Sequence, residues 1–557
     1  MANLLDKASI LITPTAYDVG SINAVKPIQN ISGELVTNGD FSNGSTGWNL
    51  GTQWSIVNNE AVYVGDGTNN TLLYNVTLIQ GKTYRVKFNV LSISGVGKVQ
   101  MQTGIDNEFN TVGEKTFDVS IENNPFSGIS FARKNGVVSM TIDDISLKEV
   151  LDADLDFERS TSGSVVGTAQ RENADGKLEQ VAENVPRIDY LGGAGHWLIE
   201  PQATNTATYS NDLSQGAIFS GSSTPSDVNA TLTANQATSP DGTTNSMKLT
   251  CATDTNTIHQ IRIENVVVVS DNTNIISLFV KKGSGIDFFA IAADNYNTNN
   301  KRAWFNVNAG VLGTQSNVVD SNIEDYGDGW YRCSMAFKTT TDVSGTVRLI
   351  VTNADNTTQF DGNGEFHYFY GLQCETSDND NATKPTTYIP TSGGTVTRAK
   401  DSFGLNTTLD TSLIDSTEGT FYVEMAALDD NQTNRIVSLS EGNNINTIKI
   451  RYTTISNEVV IEFKLGTNQA KFTTTSFDIT NFLKIGLRFK ENDFACFISG
   501  SQLTDSVVGG GLTYPANTLT KIESSRGGGA SPFQGKIKCI AVFKEGLTDS
   551  ELTCLTT

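Results

Sequence analysis

The sequence is poor in the residues and patterns that most often build reactive centres. It has 3 histidines and 6 cysteines in 557 residues. The histidines, His196, His259 and His367, are far apart, and no HExxH, GxSxG or CxxC pattern occurs. The usual arrangements of zinc sites and serine hydrolases are therefore lacking. Gly527–Gly529 is not followed by the Lys-Ser/Thr of a phosphate-binding loop. We predict that the chain is not an enzyme.

Positive charge and long apolar runs are scarce as well. The chain has 39 Lys and Arg against 61 Asp and Glu, with a net charge of -22 and no basic cluster. A nucleic-acid partner would need a basic face, so none is expected. No apolar segment approaches the roughly 20 residues of a membrane-spanning helix, and the first residues lack the pattern of a signal peptide. We expect no membrane insertion.

The cysteines indicate a reducing compartment. They are spread along the chain without the dense spacing of a disulfide-stapled domain. We interpret them as buried free thiols, with a Cys251–Cys374 or Cys496–Cys539 bridge as the alternative.

What is abundant points to short strands and turns. There are 50 glycines, and turn-forming Asn, Asp, Ser and Thr separate runs of alternating polarity such as Thr83 to Val90. Alternation places one face of a strand on a core and the other in water. The fold class is therefore predicted as all-β, with tandem jelly-roll β-sandwiches and a short N-terminal anchor segment. A helix start is expected at Thr548, with Glu551 completing a capping box.

Composition divides the chain into five segments. Residues 1–28 have apolar runs without a strand partner nearby, and they are predicted to pack on another protein. The remaining segments are a β-sandwich, a polar connector that wraps between domains or subunits, a second jelly-roll sandwich and a third β-domain: 29–150, 151–205, 206–400 and 401–557.

Two of these domains share an order of elements. An Asn/Asp turn opens the first at 35–48, and TIDDISLKEV closes it at 141–150. The second opens at 207–214 and closes with EFHYFYGLQCE at 365–375. A duplicated sandwich of this kind is typical of recognition rather than catalysis.

The first sandwich resembles carbohydrate-binding modules of the jelly-roll type. The resemblance rests on Asn38 to Phe41, Gly47-Trp48, Gly81 to Tyr84 and Ile142 to Leu147. Such modules often hold a structural calcium ion through an Asp of the closing strand, which implies Asp143 or Asp144 here. Calcium needs several oxygen ligands at one point, and the sequence supplies only this pair.

A longer resemblance covers roughly residues 1–404. DFERSTSGSVV, NVPRIDY, WLIEPQATN, YSNDLS and TTYIPTSGGTVTRAKDSFG occur in an order similar to a family of phage virion fibre and spike proteins. The resemblance implies a head-fibre or tail-fibre protein of the virion, a homotrimer that contacts other virion proteins through residues 1–28. Its expected task is host attachment through host-surface polysaccharide. Residues 405–557 resemble the laminin G and concanavalin A-like lectin fold.

Two other functions remain open. A depolymerase spike would need two carboxylates about 5–10 Å apart in a groove. Glu458 and Glu462 lie on one face of a strand and are the sharpest candidates, but Val460 stands where glucanases of the lectin fold carry a third acid. The alternative interpretation is two solvated glutamates. The other function is a purely structural head-fibre or collar protein without a ligand.

Aromatic residues are the candidates for sugar binding, because sugars stack their C–H faces on aromatic rings. Trp54, Tyr63 and Tyr74 in the first sandwich and Tyr296 in the second are predicted to bind glycan. Trp54 is flanked by polar residues, and Tyr296 lies in an amide-rich loop. Trp48 and Trp330 are predicted to be core residues.

Overall fold

The protein is almost entirely β-structure, as its alternating sequence predicts. The computed structural model describes residues 4–27, 30–31, 33–65, 67, 70–79, 82–121, 125–160, 165–215, 217–218, 222, 225–296, 299–340, 344–376, 382–508 and 511–557. Residues 1–3 and 28 of the predicted anchor lie outside these ranges. The chain divides into two compact units, residues 26–153 and residues 1–25 with 154–557.

Residues 26–153 form the first sandwich around two long strands, Thr83–Gln102 and Pro125–Leu151. Tyr84, Val86 and Phe88 point into its core, as the alternation predicts. Register shifts between the two long strands allow each of them to bend, so that its two ends pair with different strands of the sandwich. The other strands are Asn30–Ile31, Trp48–Leu50, Trp54–Val57, Glu60–Val64, Leu72–Asn75, Asn107–Phe109 and Gly113–Ser120.

The second sandwich consists of two six-stranded antiparallel sheets packed around one apolar core. The first sheet runs, in spatial order, Ser226–Val228, His259–Val267, Ser344–Thr352, Phe288–Asp294, Lys301–Asn306 and Val311–Ser316. The second runs Ala230–Thr233, Met247–Cys251, Phe366–Thr376, Thr273–Ser284, Trp330–Lys338 and Asp320–Asp325. A small pair, Asp254–Thr257 with Phe360–Gly362, lies beside them.

The C-terminal sandwich pairs a six-stranded sheet with an eight-stranded one. The six-stranded sheet runs Asp505–Val508, Thr467–Thr474, Val459–Leu465, Asn446–Tyr452, Arg435–Ser440 and Lys521–Glu523. The other runs Ile188–Asp189, His196–Ile199, Gly535–Phe543, Gly419–Ala427, Leu483–Phe489, Ala495–Ile498 and Ser501–Gln502, and its eighth strand, Ile10–Ile12, pairs with Gly535–Phe543. The chain then forms helix Asp549–Thr556, and Thr548 and Glu551 make the predicted capping box. In the part of the chain that is described, no helix is long and apolar enough to cross a membrane.

The start of the chain has a strand partner that the sequence did not reveal. Ile10–Ile12 pairs antiparallel with Ile540 to Val542, and Ile10 and Ile12 are buried. A 3-10 turn, Leu4–Lys7, precedes this strand, and Lys7 forms an ion pair with Glu551 at 2.8 Å. The expectation that this segment finds no partner within the chain is therefore corrected, because its partner is distant in sequence.

Residues 151–205 contribute strands to several sheets. Leu155–Glu158 joins Tyr17–Asp18, Ser21–Ile22 and Ser402–Phe403, while Val165–Val166 and Ala203–Asn205 flank Val396–Arg398. Ala169–Glu172 pairs with Leu178–Val181 as a hairpin. His196–Ile199 pairs with Gly535–Phe543 of the C-terminal sandwich. In this way the segment links the second sandwich to the third.

The duplicated order of elements has a structural counterpart. In the first sandwich the opening segment is hydrogen-bonded to the closing strand, through Leu35 N to Leu147 O at 2.9 Å and Ile145 N to Gly39 O at 3.0 Å. In the second, Leu372 N donates to Ser210 O at 2.9 Å in the same manner. A Cβ at Gly39 would lie 1.9 Å from the Ile145 oxygen, so only glycine permits this close approach.

Candidate functional site

The aromatic residues proposed for sugar stacking lie in the cores. Trp54 and Tyr63 pack on each other with ring centroids 5.1 Å apart, and Tyr74 packs on Trp48 at 5.0 Å. Tyr296 has no exposed surface, and its hydroxyl donates to Val266 O at 2.7 Å. None of the four rings presents a face to solvent, so their observed role is packing.

The polar neighbours of Trp54 explain why it was wrongly predicted to be exposed for sugar binding. Successive residues of a strand face opposite sides of a sheet, so a core tryptophan in a half-buried strand is naturally flanked by polar residues. Trp54 opens the strand Trp54–Val57, where this alternation applies. The predicted core positions of Trp48 and Trp330 are confirmed by their burial.

The Asp143 region has some features of a cation site. Oδ1 of Asp143 is buried without a hydrogen-bond partner. Burial raises the pKa of Asp143, and the nearby negative charges of Asp144, Glu60 and Asp40 raise it further. A bound cation would relieve both effects. In the described ranges no three Asp, Glu, His or Cys side chains converge closely enough to hold a metal alone, so backbone oxygens would have to complete the ligand set.

The carboxylate pair considered for catalysis does not face a groove as two free acids. Glu462 lies 2.7 Å from Lys449, and Glu458 accepts a hydrogen bond from Thr453. Burial would raise the pKa of Glu462, but the hydrogen bond and charge of Lys449 outweigh it and hold the pKa below its usual value. A general acid needs the opposite shift.

The three histidines are buried and separate. His367 donates from Nε2 to Phe288 O at 3.0 Å and accepts from Gly283 N at 3.3 Å, which defines a neutral tautomer. Burial lowers the pKa of His367 to about 4. The cysteines are free thiols; five are buried, as predicted, whereas Cys554 is exposed.

The motifs that resemble phage fibres meet in one buried ionic cluster. We call it the arginine network, and its members come from four of the quoted segments: Arg159, Arg187, Glu200, Arg398 and Asp401. All five are buried. Asp401 bridges Arg159, at 3.0 Å, and Arg187, while Glu200 bridges Arg187 at 2.7 Å and Arg398 at 2.9 Å.

The backbone and hydroxyl groups around the network satisfy the remaining polar atoms of its carboxylates. Thr387 donates to Glu200 from its backbone N at 2.7 Å and from its hydroxyl at 2.6 Å. Burial would raise the pKa of Glu200, but the charges of Arg398 and Arg187 and these hydrogen bonds lower it to about 2. Paired in this way, the network joins residues up to 242 positions apart.

A cleft opens beside the arginine network, where the second sandwich meets the C-terminal one. Two adjoining cavities of about 110 and 240 Å³ share part of their lining. We call them together the Arg435 cleft. The residues that line both cavities are Pro201, Ala382, Lys384, Thr386, Asn431, Arg435 and Gln534. These come from four distant parts of the chain, so the spacing of residues in the sequence does not indicate the cleft.

Arg435 is the unusual group in this cleft. Its side chain is only 4% exposed, and none of its nitrogens has a hydrogen-bond or ion-pair partner among the residues described. Burial lowers the pKa of Arg435 to about 10, with the charge of Asp429 opposing the shift, so the group stays cationic at neutral pH. Buried charges in proteins are normally paired.

Two further polar side chains of the cleft resemble Arg435. Gln534 is 8% exposed with a buried, unpartnered Oε1, and Asn431 is 6% exposed. The carboxylates nearby are already engaged: Asp429 accepts from Thr383 N at 2.7 Å, and Glu375 accepts from Thr386 N at 2.9 Å. The cleft thus offers a cation and two amides to a ligand while its nearest acids are occupied.

Comparisons with known proteins return distant structural likenesses. No protein-family model and no curated protein matches the sequence. The tandem CBM22 domains of Paenibacillus barcinonensis Xyn10C are 10% identical, with 63% of this chain and 98% of that one covered and a TM-score of 0.21. The CBM40 of a Ruminococcus gnavus IT-sialidase, bound to sialyllactose, is 16% identical, with 26% and 84% covered and a TM-score of 0.22.

A laminin likeness is of the same grade. Domains LG4-5 of the mouse laminin α1 chain are 9% identical, with 53% of this chain and 91% of that one covered and a TM-score of 0.18. These neighbours are carbohydrate-binding modules and laminin G domains, the two kinds of domain that the sequence resembles. At such TM-scores they carry no argument about the ligand or activity of this chain.

Proposed function

We propose that this chain is a fibre or spike protein of a phage virion that engages host-surface glycans. The observation that carries the proposal is the arginine network. Segments quoted for the resemblance, far apart in sequence, contribute Arg159, Arg187, Glu200, Arg398 and Asp401 to one buried cluster. Four of these segments are therefore held together by one cluster in the folded chain, which supports the resemblance beyond the match of its individual motifs.

The proposal includes attachment to the particle through residues 1–28. Ile10 and Ile12 are already buried against the C-terminal sandwich. Attachment would therefore use the outward side of this segment, where Val19 is 75% exposed. Substituting Val19→Asp and Val25→Asp would leave the Ile10–Ile12 strand in place and should release the protein from assembled particles. Particles that retain the variant at wild-type copy number would overturn this part of the proposal.

The proposal also includes a homotrimer, because the fibre family that the sequence resembles is trimeric. Several copies on one particle would multiply weak sugar binding through effective concentration. Light scattering of the purified chain should give three times its 59.9 kDa mass. A monomer at micromolar concentration would contradict the trimer.

Glycan engagement is tested with host polysaccharide. Purified protein should co-sediment with the polysaccharide of its host, and a glycan array should give signals that grow with the number of copies displayed. No binding on either would remove the adhesin interpretation. Release of new reducing ends during incubation would replace it with the depolymerase alternative.

We further propose a structural calcium ion at Asp143, with Asp144 and backbone oxygens as the remaining protein ligands. What supports it is the unpartnered Oδ1 of Asp143 among the charges of Asp40 and Glu60. The ion would tie the opening loop to the closing strand. Calcium should raise the melting midpoint of the wild type, EDTA should reverse the change, and Asp143→Asn should abolish it. An unchanged midpoint in the wild type would contradict the site.

A further inference from the structure

We propose that the Arg435 cleft binds the carboxylate of a small acidic saccharide, such as a uronic acid. The inference rests on the proposed glycan function for the identity of the ligand as a sugar. The carboxylate itself follows from the geometry of the cleft, which no part of the fibre resemblance addresses.

Arg435 has no hydrogen-bonded or ion-paired carboxylate among the described residues, although the charge of Asp429 in the same cleft acts on it from a distance. The residue opens the strand Arg435–Ser440, and its backbone is fixed by pairing with Tyr452. A guanidinium presents two parallel N–H donors that match the two oxygens of a carboxylate. Here these donors face a cavity rather than an acid of the chain.

The other buried arginines near the cleft each have partners within the chain. Arg332, which lines the same cleft, donates to Thr386 O at 2.7 Å and to Ser277 Oγ at 3.2 Å. Arg187 and Arg398 are paired with Glu200. Of these buried groups Arg435 alone is left without a described partner, so folding does not account for it.

Other polar side chains of the cleft can bind the rest of the sugar. Asn431 and Gln534 line both cavities and can each donate and accept, which suits the hydroxyl groups of a sugar ring. Lys384 lines both cavities too and has no ion-pair partner in the described residues, which adds positive charge. The smaller cavity alone is lined by four acids, Asp189, Glu200, Glu324 and Asp429, whereas the larger one is lined only by Glu375, so the carboxylate would lie toward the larger one.

Size restricts the ligand further. Cavities of about 110 and 240 Å³ approach the lower end, roughly 300 Å³, of ordinary ligand pockets. A single acidic sugar or the acidic end of a chain fits this space better than the middle of a polymer.

The test measures binding of glucuronate, glucose and acetate to the full chain by saturation-transfer NMR and calorimetry. Glucuronate should bind, acetate should bind more weakly, and glucose should give no signal. Arg435→Met should weaken glucuronate at least about tenfold, because a hydrogen bond between charged groups is lost. Arg451→Met, on the neighbouring strand and outside the cleft, is the matched control and should bind as the wild type does.

A second variant protects against misfolding of the first. Asn431→Leu keeps Arg435 and should weaken glucuronate more than acetate, since it removes a contact to the hydroxyls alone. Equal binding of glucose and glucuronate, or full glucuronate affinity in Arg435→Met, would overturn the inference. Glucuronate binding through Arg435 without any polysaccharide binding would instead retain the carboxylate site and remove the adhesin function. Polysaccharide binding that persists in Arg435→Met would retain the adhesin function and remove the Arg435 cleft as its binding site.

Discussion

The arginine network and the Arg435 cleft lie side by side and treat buried positive charge in opposite ways. In the network, Asp401 and Glu200 are shared among three guanidinium groups. In the cleft, the guanidinium of Arg435 is nearly as buried but has no hydrogen-bond or ion-pair partner within the described residues. Burial alone therefore does not separate structural from functional arginines. What separates them is whether the fold supplies the opposite charge.

The largest effect is expected in the network. Asp401→Ala removes the carboxylate between Arg159 and Arg187 and leaves buried charge uncompensated, which costs about 3–5 kcal/mol. The urea midpoint of the first unfolding transition, followed by circular dichroism, measures it. Asp175→Ala, in an exposed turn, serves as the control and should change the free energy of unfolding by less than about 0.5 kcal/mol. A decrease of less than about 1 kcal/mol in the free energy of unfolding of Asp401→Ala would show that the network contributes little to stability.

His367 differs from both groups of arginines because this buried base is neutral. Its folded pKa of about 4 lies below the ordinary value of 6.5, so the unfolded chain takes up a proton first as the pH falls. The contribution is complete above pH 6.5 and is lost between pH 6.5 and 4, by about 3 kcal/mol. His367→Gln should flatten urea stability across this window. An unchanged slope would show that the pKa of His367 is the same in the folded and the unfolded chain.

The arginine network contributes to stability over a different pH range. The folded pKa of Glu200, about 2, lies below its ordinary value of 4.5, so this stability is present above pH 4.5 and is lost as the pH falls toward 2. Acid unfolding of the His367→Gln variant should therefore begin only below about pH 4.5. The His367→Gln substitution therefore separates the pH dependence caused by His367 from that caused by Glu200 of the arginine network.

The cleft is expected to respond in the opposite direction. Without ligand, Arg435→Met removes an unpaired buried charge and should stabilise the chain by about 1–3 kcal/mol. Thermal and urea unfolding of the wild type and of Arg435→Met measure the sign of this change in stability. Arg451→Met is the control. A loss of stability would mean that Arg435 has a structural partner, and it would erase the contrast with the network.

The smallest effect belongs to an exposed pair. Arg85 and Asp118 form a bidentate contact at 2.7 and 2.6 Å on the surface of the first sandwich. Asp118→Asn should cost less than about 1 kcal/mol and lose most of this at high salt. A larger cost, insensitive to salt, would show that exposure is a poor guide to the strength of these pairs.

The fold followed from local sequence, whereas the sites depended on distant pairs. Alternation in Thr83 to Val90 placed Tyr84, Val86 and Phe88 on the core side because the period of a strand is local. The same rule, applied to the polar neighbours of Trp54, would have placed that ring inside. Arg187 and Asp401 are 214 residues apart, and one sequence contains no signal that links them. Arg435 stands in an ordinary strand sequence, and only the missing partner marks it.

The pairing of Ile10–Ile12 with Ile540 to Val542 has a consequence for synthesis. Ser9 and its hydrogen-bond partner Val542 are separated by 533 residues. At about 5–20 residues per second, a ribosome needs roughly half a minute to two minutes to produce the second after the first. Throughout this interval the apolar strand Ile10–Ile12 lacks the strand with which it pairs in the folded chain.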